Sequence, residues 1–125
     1  MSLQLTLDDL INHAEKKPDH TFLLGSCSEC LVCDIIRREH EGEDGRPDVD
    51  YTQARWLGDD TVYYEQPDVF VDFLIDVSDN IPDDSREVNN PFTGAQVARA
   101  LRSIRDGVDA ETAALNMIKE RYGDA

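Results

Sequence analysis

Cys27, Cys30 and Cys33 recur at every third residue. Thiolates two residues apart are a common zinc-ligand spacing, and His40, His20 or Asp34 would complete a set of four. Structural zinc sites usually join two separated ligand pairs, and this chain has no second Cys-x-x-Cys. On a helix the three thiols step by about 300° each, so Cys27 and Cys33 reach a packed face. Unpaired thiols are among the most buried of side chains. The spacing therefore reads first as three core thiols, with a zinc site on Cys27, Cys30, Cys33 and His40 as the alternative.

A third reading of the thiols is redox chemistry. A short apolar run followed by Cys-x-x-Cys at a helix start is similar to the thioredoxin arrangement, where the helix dipole lowers the first thiol's pKa. Against it, the chain lacks the preceding βα unit and the number of strands that fold requires. Gly58-Asp59-Asp60 resembles the magnesium-holding hairpin of RNA-dependent polymerases, but the chain is far too short for one and the tripeptide is ordinary turn chemistry. The three histidines, at positions 13, 20 and 40, are scattered, and neither a Gly-rich phosphate loop nor His-Glu-x-x-His occurs. Nothing here supports catalysis, so a non-catalytic protein is expected.

The acidic residues offer more. Asp68, Asp72, Asp76 and Asp79 fall within about 80° on a helical wheel. Four carboxylates on one stripe repel one another by a few tenths of a kcal/mol per i,i+4 pair. A cation, a basic partner or solvation would relieve that. With Asp83, Asp84 and Glu87 just beyond, they form the candidate contact set for a basic protein partner. Arg99, Arg102 and Arg105, at i, i+3 and i+6, are expected to pair internally with the acidic middle of the chain. A free anion would approach them only through a field of net charge −15.

The elements that position these groups follow from capping and periodicity. Thr6-x-x-Asp9 opens a helix carrying Leu7, Leu10, Ile11 and Ala14, closed by Lys16, Lys17 and Pro18. His20 to Leu24 suits a short strand, and Ser26-x-x-Glu29 starts a helix reaching Gly42. Residues 42–50 read as a charged loop. Tyr51–Leu57 and Thr61–Glu65 read as a β-hairpin about Gly58-Asp59-Asp60. From Pro67 to Ser78 alternation suggests a strand, but Pro67 at a first helical position and the acid stripe favour a helix. Residues 79–93 read as a long polar loop. Thr93-x-x-Gln96 caps a helix with Val97, Leu101, Ile104 and Val108 inward, and Ala114, Leu115, Ile118 and Tyr122 make the last apolar face. The prediction is a single α+β domain over 1–125, mostly helical, with a hairpin at about 51–65 and an αα-hairpin at about 94–122.

At 125 residues the chain is long enough for one core. Eleven Leu, nine Val and seven Ile supply it. Its longest apolar runs are three or four residues, so no membrane span is expected. No signal peptide is visible, and three unpaired thiols suit a cytoplasmic protein. The 27 acids and 12 bases are unevenly placed. Residues 1–50 hold 12 acids and 5 bases, residues 51–93 hold 10 and 2, and residues 94–125 hold 5 of each. That balance argues against direct nucleic-acid binding. Asp outnumbers Glu 18 to 9 and Arg outnumbers Lys 9 to 3, a bias that also suits high salt, so a salt-adapted domain is a further alternative. The favoured reading is a small binding protein, an inhibitor or DNA mimic, whose carboxylates occupy a basic groove.

Overall fold

The computed structural model describes residues 2–23, 31–39, 49–50, 53–58, 61–80 and 91–123. In chain order these form β1 (Ser2–Gln4), α1 (Leu7–Lys16), β2 (Thr21–Leu23), α2 (Leu31–Glu39), β3 (Val49–Asp50) and β4 (Arg55–Trp56). Then follow β5 (Val62–Glu65), α3 (Asp68–Asn80), β6 (Pro91–Thr93), α4 (Gly94–Arg105) and α5 (Ala110–Tyr122). The architecture is α+β and mostly helical, with a small mixed sheet in the order β1-β5-β4-β3 and a separate β2-β6 ribbon.

Local sequence explains the helix starts. Thr6 Oγ1 accepts from the Asp9 amide at 3.1 Å while Asp9 Oδ2 accepts from the Thr6 amide at 2.9 Å. Thr93 and Gln96 repeat the reciprocal box at the head of α4. Asp109 caps α5 by accepting from the amide and the hydroxyl of Thr112, and those bonds hold its carboxyl below the usual range. The Ser26-x-x-Glu29 box lies outside the described residues, as do both ends of the helix predicted over 26–41. The segment from Pro67 resolves as helix.

α1 packs on α4, and α5 lies between α3 and α4. The core gathers Leu10, Ile11, Phe22, Leu31, Ile36, Phe70, Phe73, Phe92, Leu101 and Met117, all fully buried. Among the described residues no helix is long and apolar enough to cross a membrane.

The structure departs from the sequence reading at five places. The predicted strand 51–57 is broken: Gln53 and Ala54 form a turn, with Ala54 in the left-handed region at φ 51°. Arg55 and Trp56 pair with Tyr63 and Val62, and Val49–Asp50, placed by sequence in the charged loop, adds a third strand on the far side of β4. Both ends of the polar loop expected over 79–93 belong to regular elements, and residues 81–90 between them lie outside the described residues. Asp79 and Asn80 finish α3, where the Asn80 side-chain Nδ2 donates to the Asp76 carbonyl. Pro91–Thr93 pair antiparallel with β2, since Phe92 has a buried place opposite Phe22. Ser2–Gln4 join the sheet parallel to β5. Finally, Leu115 is 37% exposed. α5 buries Ala110, Ala113, Ala114, Met117 and Ile118, an arc of about 140° that leaves Leu115 outside.

Candidate functional site

β5 ends in a corner that turns into α3. Tyr63 and Glu65 alternate with buried Val62 and Tyr64, so they share the outer face of the sheet, and Gln4 of β1 stands in register with Glu65. Gln66 and Pro67 carry the chain into α3, whose first residue is Asp68. Phe70, Phe73 and Val77 point inward. On the other side lie exposed Asp68, Asp72 and Asp79 and half-buried Asp76, next to Val71 (37% exposed) and Ile75 (53% exposed). The sequence stripe is thus real and outward-facing. Asp83, Asp84 and Glu87 lie outside the described residues.

The electrostatics of this face follow from where the cations go. Arg99 pairs with Glu120 of α5, Arg102 with Glu15 at 2.9 Å and Arg105 with Asp8 at 3.2 Å. The expectation of internal pairing holds, but the partners are α1 and α5 rather than the middle of the chain. The reason is packing: α4 lies against α1 and α5. Asp68, Asp72, Asp76 and Asp79 have no ion-pair partner among the described residues, and the last turn of α3 contains no base. Asp79, in that last turn, therefore faces the negative end of its own helix dipole, a cost of a few tenths of a kcal/mol.

A second charged cluster escaped sequence reasoning. Asp34 sits on α2 among Leu31, Val32, Ile35 and Ile36 and is only 3% exposed. Its carboxylate accepts from His13 Nε2 at 2.6 Å, Lys17 Nζ at 2.8 Å and Arg37 at 2.6 Å. Burial alone would raise its pKa; the three donors together override burial and hold it far below the usual carboxylate range. An ionised Asp34 only accepts, which places the imidazole proton on Nε2. The legible signal was an acid inside an apolar helical run, three residues before an Arg, with His13 on α1 and Lys17, four residues on, at its C-cap. Sequence reasoning took Asp34 only as a spare zinc ligand.

A cleft of about 400 Å³ opens beside this cluster, lined by Leu5, His13, Lys16, Arg38, Glu39 and Tyr64 among others. Burial, together with the hydrogen bond Tyr64 donates to Glu39, pushes the phenol well above its ordinary pKa. The described lining has no Ser, Thr or Cys to act as a nucleophile beside His13. The polar groups here tie α1, α2 and β5 together.

Cys33 is buried in α2, as the core reading expects. Cys27, Cys30, His40, Asp59 and Asp60 lie outside the described residues. Among the described residues no group of three His, Cys, Asp or Glu is placed to hold a metal. Comparison with protein families, curated proteins and solved structures finds no match to this chain.

Proposed function

We propose that this is a non-catalytic binding protein whose α3 face engages a basic protein surface. One observation carries the reading: the hairpin arginines pair with α1 and α5, and the α3 carboxylates are left without a partner among the described residues. The face is also not purely polar. Val71 and Ile75 stand exposed beside the acids, and interfaces combine such apolar contact with a charged surround. The mechanism is occlusion. The carboxylates occupy an Arg/Lys groove that otherwise takes an anionic chain, and their field speeds encounter at low salt. An inhibitor or a mimic of nucleic-acid charge works in this way.

Capture on immobilised protein tests the proposal. Basic proteins retained at low ionic strength are expected to elute with salt and with added duplex DNA, and to be lost when Asp68, Asp72, Asp76 and Asp79 are all changed to Asn. Equal recovery at low and high salt, or by the four-fold variant, contradicts it.

A further inference from the structure

We draw no further inference here: the strongest candidate, the cleft between α1, α2 and β5 beside His13, carries nothing, because His13 is engaged by Asp34 and Tyr64 by Glu39, and nothing in the structure shows what fills it.

Discussion

Asp34 places an ionised carboxylate within the apolar side of α2, and what makes this tolerable is three donors from two helices. Removing the charge leaves His13, Lys17 and Arg37 facing one another without their common acceptor. Because Lys17 and Arg37 are partly open to solvent, the cost falls at the lower end of that for a broken buried pair. Asp34→Asn should lower unfolding stability in urea by about 2–3 kcal/mol at neutral pH. The native pKa is depressed, so the stabilisation is present above the unfolded value and fades as pH falls. The gap between wild type and Asp34→Asn should begin to close below about pH 4, and a pH-independent gap would contradict the ionised assignment. Tyr64 has the opposite sign. Its native pKa is raised, so its contribution is full below about pH 10 and declines above it. Tyr64→Phe should flatten the alkaline arm of the stability curve, and tyrosinate absorbance should show one phenol fewer ionising late.

At the scale of elements, α4 begins in close contact with the end of α1. A Cβ added at Gly94 would lie 2.0 Å from the Lys17 carbonyl oxygen and 2.5 Å from that of Ala14. Both are backbone atoms, and the Gly94 amide is itself bonded to the His20 carbonyl at 2.8 Å. Gly94→Ala should therefore cost about 2–3 kcal/mol, read from thermal unfolding. On α5, Met117→Ala should cost a similar amount or more, while Leu115→Ala should stay within about 0.5 kcal/mol. Elements whose signals are local were legible: the Thr6 and Thr93 boxes, the α3 stripe and the α4–α5 hairpin. β1, β3 and β6 were not. Each has two or three residues; β1 and β6 exist because a distant strand accepts them, as Phe92 does against Phe22, and β3 because the turn at Gln53 and Ala54 folds it back on β4. Leu115 was misplaced for a related reason. Wedged between two helices, α5 buries small residues across a wide arc, and a periodicity of large side chains does not reveal which arc that is. The α3 acids were legible as a face; that Arg99, Arg102 and Arg105 would turn to α1 and α5 depended on helix packing.

For the whole molecule, 27 acids against 12 bases imply self-repulsion, and the structure places part of that repulsion on one surface. If α3 existed only for stability, its acids would be a defect. The variant with Asn at positions 68, 72, 76 and 79 should be more stable than wild type at low ionic strength by about 0.5–1 kcal/mol, from relief of the i,i+3 and i,i+4 repulsions. That advantage should shrink as salt is added and the Debye length falls to about 10 Å at 0.1 M. A gain in stability coupled to a loss of binding separates an interaction surface from a structural one. The most direct measurement is the dissociation constant for one captured basic protein across a range of ionic strength, wild type against that variant. Wild-type affinity is expected to fall steeply as salt rises, and the variant to bind weakly at low salt with a much flatter dependence. Matching constants and slopes for the two proteins would contradict the assignment of α3 as the binding face.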